Sequence, residues 1–65
     1  MYQVIGDTGL DSERVLFESA NSREAVLWAE KYTRRGLGEF SVVTVTHFDR
    51  TGEAHDHWLK RRGDK

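Results

Sequence analysis

Asn21-Ser22-Arg23-Glu24-Ala25-Val26-Leu27-Trp28-Ala29-Glu30-Lys31-Tyr32-Thr33-Arg34-Arg35-Gly36 carries helix signals at both of its ends. Asn21 can accept a free backbone N–H of the first turn, and Glu24 stands three positions on, where it can complete a capping box. Arg34 and Arg35 bring positive charge to the carbonyl end of the helix dipole, and Gly36 suits the left-handed residue just beyond it. At about 100° per residue, Ala25, Trp28, Ala29 and Tyr32 share one face with Val26 at its border. A helix over about residues 22–35 is therefore expected. Its small alanines would let it approach a sheet closely. Leu27 falls on the opposite side, among Arg23, Glu30, Lys31 and Arg34.

On either side of this helix the pattern changes to period two. Tyr2-Gln3-Val4-Ile5 reads as a first strand and Arg14–Ser19 as a second, joined by the turn-rich stretch Gly6–Glu13. After the helix, Phe40–Phe48 is a long β-branched strand. Asp49-Arg50-Thr51-Gly52 resembles a type I turn with Gly52 in the left-handed bulge position, and the chain returns as Ala54–Leu59. The order β-β-α-β-β predicts an α+β domain: a four-stranded antiparallel or mixed sheet covered on one face by a single helix. Residues 1–59 form the expected compact domain, and 60–65 a basic, frayed C-terminal tail.

Composition narrows the function classes. A chain of 65 residues holds one small core, which supplies only roughly 3–5 kcal/mol. There is no cysteine, so neither disulfides nor zinc–thiolate sites can help. Oligomerisation or docking on a larger partner is therefore favoured as the remedy. No run of residues is long and apolar enough for a membrane span, and Met1–Asp7 turns polar too soon for a leader peptide. A cytoplasmic, cysteine-free protein is expected. The net charge of −1 gives no global attraction to nucleic acid, but cations concentrate in two zones: Arg23, Lys31, Arg34 and Arg35 in the helix, and Lys60, Arg61, Arg62 and Lys65 at the end.

The third strand is apolar on both sides. Phe40, Val42, Thr44, Thr46 and Phe48 alternate with Ser41, Val43, Val45 and His47, and Trp58 falls in register with the first set, Leu59 with the second. One helix covers one face, so the other is expected to be an interface, for a second copy or for a larger protein partner. The partner-binding residues on this reading are Phe40, Val42, Phe48 and Trp58, with Leu27 as a separate contact on the helix. An adaptor or inhibitor would act in the same way.

A second reading uses Phe40, Phe48 and Trp58 to stack the bases of a single strand while Arg34, Arg35, Lys60, Arg61 and Arg62 hold phosphates. A third groups His47, His55 and His57 on the last hairpin around a divalent metal, since His47 should face His55 across the strands. Catalysis has no support: there is no nucleophile–base motif and no phosphate-binding glycine loop, and the acidic loop Asp7, Asp11, Glu13 lacks calcium-loop spacing and reads as solvated surface. A non-catalytic protein without a cofactor is expected.

Overall fold

The computed structural model of the chain describes residues 1–63. Its elements are β1 (Tyr2–Gly6), β2 (Arg14–Ser19), α1 (Ser22–Tyr32), β3 (Val42–Phe48) and β4 (Ala54–Arg61). The strands form one sheet in the order β2-β1-β3-β4, with every neighbouring pair antiparallel. This is the expected α+β arrangement, two hairpins joined by a helix.

Asn21 caps α1 as its sequence predicts, accepting the Glu24 N–H on Oδ1 at 3.1 Å. The reciprocal half of the box is replaced: the Asn21 N–H donates to Ser19 Oγ at 3.0 Å. The regular helix also stops at Tyr32 rather than near Arg35. Thr33 takes the C-cap, its N–H and its hydroxyl both donating to the Ala29 carbonyl, at 3.0 and 2.8 Å. The chain then leaves through a turn closed by the Gly36 N–H on the Thr33 carbonyl at 3.0 Å, with Gly36 at a φ of 114°.

Ala25 and Ala29 are fully buried against the sheet and pack with Val4, Val43, Val45, Leu37 and Phe40. Beside them Phe17, Trp28 and Tyr32 form a ladder of near-parallel rings, with centroids 5.0 and 5.1 Å apart. Stacking of this kind adds roughly 0.5–1.5 kcal/mol per pair beyond the area buried.

Phe40 departs from its expected place. The chain makes a tight turn through Gly38 (φ 61°), closed by the Phe40 N–H on the Leu37 carbonyl at 3.1 Å, and β3 starts only at Val42. Strand alternation therefore does not extend back to Phe40. Its ring turns to the helix side, where it is 2% exposed.

The β3–β4 hairpin begins as predicted. Gly52 sits at a φ of 85°, the Asp49 N–H donates to the Glu53 carbonyl at 3.0 Å, and His47 lies opposite His55. A β-bulge then intervenes: Thr46 pairs with Asp56 but Val45 pairs with Trp58, leaving His57 as the extra residue. One inserted residue sends every later side chain to the other face. Trp58 consequently packs on the core under α1, and Leu59 moves to the open face beside Thr44. Lys60 and Arg61 continue β4 instead of fraying. Arg62 is tied down through its N–H to the Ser41 carbonyl (2.8 Å) and its guanidinium to the Gly38 and Phe40 carbonyls (2.6 and 2.8 Å). The remainder of the expected tail, Asp64 and Lys65, lies outside the described residues.

Candidate functional site

Strand pairing lays out the sheet face turned away from α1 in rows. Val15, Ile5, Thr44 and Leu59 stand side by side across all four strands. The next row is polar: Glu18, Gln3, Thr46 and Asp56. Val42 beside Arg61 and Phe48 beside Ala54 close the two ends of β3 and β4. Among the described residues no helix or strand lies over these rows. Val15 and Leu59, at the two sheet edges, are 46% and 41% exposed, whereas Ile5, Thr44 and Thr46 between them are buried.

The middle of this face is covered by the β1–β2 loop. Thr8 Oγ1 lies 2.5 Å from Thr44 Oγ1 and donates to the Ile5 carbonyl at 3.3 Å, while Thr44 and Thr46 hydroxyls stand 3.4 Å apart. The hydroxyls thus satisfy one another in a line along β3, and the apolar groups left to solvent are those at the rim.

Asp7 holds the loop in this position. It is a non-glycine residue at a φ of 55°, is only 5% exposed, and accepts the Ser12 hydroxyl (2.5 Å) and the Ser41 N–H (2.6 Å). The Ser12 and Ser41 hydrogen bonds are the chief reasons its carboxyl is held below the usual aspartate range. Burial opposes them, and the Val42 N–H and the positive charge of Arg62 assist. The expected solvated loop acid is therefore a structural anchor between β1 and the start of β3.

Of the partner-binding residues read from the sequence, Val42 and Phe48 are on the open face, both half-buried. Phe40 and Trp58 are on the helix side, and Val15, Ile5 and Leu59 take their place. The side of neither Val15 nor Leu59 was readable. Period two sets Val15 on one face with Phe17, but a bulge in the β1–β2 pairing puts the two on opposite faces, and the side of Leu59 depends on the bulge at His57. Leu27, 48% exposed, lies in a shallow hollow with Asn21, Arg23, Glu24, Trp28 and Lys31, on the outer side of α1 and so apart from the sheet face. The aromatic platform for bases is not assembled on the open face, where only Phe48 of the three remains.

The histidines are not brought together as a ligand set. His47 stacks on Tyr2 with centroids 4.6 Å apart, and His57 meets the same ring edge-on at 5.6 Å. His55 Nε2 lies 3.0 Å from Asp49 Oδ2. Among the described residues, the ligand atoms that cluster are those of Asp49, Glu53 and His55, all within 4.8 Å of one another. The Asp49 carboxylate is already engaged by the Thr51 hydroxyl and N–H, the Glu53 N–H and His55. These bonds hold its carboxyl well below the usual aspartate range, the Thr51 hydroxyl contributing most and His55 next. That is the chemistry of a hairpin turn.

Of the helix's basic zone only Arg34 meets the cations at the end of the chain, since Arg23 and Lys31 lie in the hollow around Leu27. Arg34, just past α1, shares the lining of one depression with Lys60, Arg61 and Arg62 at the end of β4. Arg35 does not line it. Among the described residues no helix is long and apolar enough to cross a membrane. Comparison of the chain with protein-family models, curated proteins and solved structures finds no match in any of the three, so a functional reading rests on this geometry.

Proposed function

We propose that this chain is a small non-catalytic interaction module of the cytoplasm, and that its occupant is a second copy of itself docked on the open sheet face. The observation that carries the reading is the row Val15–Ile5–Thr44–Leu59, with its two outer residues half exposed and charges arranged on either side of it. Along β4, Arg61 lies on one side of Leu59 and Asp56 on the other, each one cross-strand row away. A two-fold axis running along the apolar row sets Leu59 against Leu59 and brings Asp56 of one copy opposite Arg61 of the other. Self-complementarity of this kind is what an isologous interface requires. The absence of cysteine suits a reducing compartment.

Size argues that the association is weak. Four strands at about 4.8 Å spacing and five residues at about 3.3 Å rise bound the face, including the part that the β1–β2 loop covers, at roughly 19 by 17 Å. Counted on both copies that is roughly 650 Å², below the about 1,000 Å² that a stable specific interface clears, so the association is a transient one with an affinity of micromolar or weaker. Sedimentation equilibrium over roughly 10 μM to 1 mM, a span that brackets such affinities, tests it. A mass rising from monomer to dimer is expected, and a monomer throughout the series would refute the reading.

A further inference from the structure

A groove runs around the C-terminal end of α1. Its first hollow is lined by Glu30, Thr33, Arg34, Trp58 and Lys60. The adjoining hollow shares Thr33, Arg34 and Lys60 and continues past Arg61 and Arg62 to Gly63. Leaving aside Arg61, whose row is on the open face, the lining sets Arg34, Lys60 and Arg62 against one carboxylate, Glu30, with an aromatic ring at one end. Arg62 also lies within electrostatic reach of Asp7.

Two of these cations, Lys60 and Arg62, are bonded to backbone carbonyls. Lys60 Nζ donates to the Thr33 carbonyl at 3.4 Å, and the Arg62 guanidinium to the Gly38 and Phe40 carbonyls. The two ion pairs among the described residues, Arg14–Glu39 and His55–Asp49, involve neither Arg34, Lys60 nor Arg62. Lys60 has a structural duty at the helix C-terminus, where a cation offsets the dipole, and Arg62 feels the Asp7 carboxylate, but among the described residues Arg34, Lys60 and Arg62 form no ion pair. The β-bulge at His57 is what turns Trp58 to this side, next to Lys60 and Arg34, so that ring and cations share one open track.

We propose that this groove binds single-stranded nucleic acid, with successive phosphates near Arg34, Lys60 and Arg62 and a base against the indole of Trp58. An elongated open track with repeated cations matches a chain of regularly spaced phosphates, and an aromatic ring supplies the sequence-tolerant stacking that single-strand binders use. The groove lies on the helix side of the sheet and does not depend on the open face being an interface.

The test is fluorescence anisotropy of a labelled oligo(dT) and oligo(rU) at low salt, with inorganic polyphosphate as competitor. Three cations engaged predict a log–log salt slope of about −2, since each contributes about 0.7 on single strands. Arg34→Gln is expected to weaken binding several-fold and flatten the slope by about 0.7, while Arg50→Gln in the distant hairpin turn leaves both unchanged. Because Trp58 also packs on the core, its role is read without replacing it. In a Trp28→Phe chain the remaining tryptophan is Trp58, and its emission is expected to be quenched on oligonucleotide binding. No binding at low salt, equal loss in Arg34→Gln and Arg50→Gln, or binding without quenching and fully displaced by polyphosphate at matched charge would each overturn the proposal.

Discussion

The Phe40 ring occupies the space that a side chain at Gly6 would need: a β-carbon there would lie 2.7 Å from both Cδ1 and Cε1 of the ring. Over the same ring, the Arg14 guanidinium carbon stands 5.2 Å from its centroid. The glycine in β1 is thus the reason the chain before β3 can fold its aromatic residue into the core.

Gly6→Ala is accordingly expected to cost about 1–3 kcal/mol through overpacking. In a domain of this size that is a large share of the total, and urea denaturation measures it. Shrinking the ring should relieve the clash, so Phe40→Leu should cost less in the Gly6→Ala chain than in the parent. A double-mutant cycle with no coupling between the two positions would contradict the close contact.

The start of α1 gives a sharper contrast between two residues that a capping box treats alike. Asn21→Ala removes the acceptor of the Glu24 N–H and is expected to cost about 1 kcal/mol. Glu24→Gln should cost only a few tenths, from lost charge near the helix N-terminus, because the Asn21 N–H is bonded to Ser19 and not to Glu24. Ser19→Ala is expected to exceed Glu24→Gln for the same reason. Thermal unfolding of the three variants ranks them.

Local signals of this kind explain how much of the molecule was legible in the sequence. The helix cap, the Ala25/Ala29 stripe, the Asp49–Gly52 turn and the His47–His55 pairing each depend on residues close in sequence or on a turn of fixed length. The face assignments of Phe40, Trp58 and Leu59 depend on two backbone irregularities, the turn at Gly38 and the bulge at His57. Gly36 and Gly38 mark a turn without fixing where Phe40 points, and the bulge leaves no compositional mark at all. A bulge residue can be of any type, and a single insertion reverses period-two reasoning from that point onward. Asp7 was equally hidden: its anchoring bonds to Ser41 and Val42 span more than thirty residues, and its short loop reads as an ordinary acidic turn.

Leu59 carries the clearest consequence of the bulge. If the open face is a self-interface, Leu59→Lys places two like charges near the two-fold axis and should abolish dimerisation. As Leu59 is half exposed, the folded monomer should lose less than about 1 kcal/mol. Trp58→Lys, one residue earlier, should instead unfold the domain, since Trp58 packs on the core. Circular dichroism with sedimentation velocity separates the two outcomes: a folded monomer for Leu59→Lys and an unfolded chain for Trp58→Lys. Two folded dimers would mean that the register at His57 is not as described.

Asp7 makes the acid limb of stability a test of the loop anchor. Its carboxyl is held below its ordinary value of 3.8, chiefly by the Ser12 hydroxyl and the Ser41 N–H, so the folded state prefers the ionised form. A depressed folded value means that the stabilisation is fully present above pH 3.8 and is lost as pH falls through the lower folded value. Asp49, lowered chiefly by the Thr51 hydroxyl and then by His55, acts in the same direction. Asp7→Asn keeps a side chain that tolerates the left-handed backbone at a φ of 55° but removes the titrating charge. The variant is expected to melt below the parent at pH 7 and to show a shallower decline below pH 3.8, the two curves converging as acid is added. Parallel curves over that interval would show that the loop is held by shape alone, with the charge of Asp7 playing no part in tying β1 to β3.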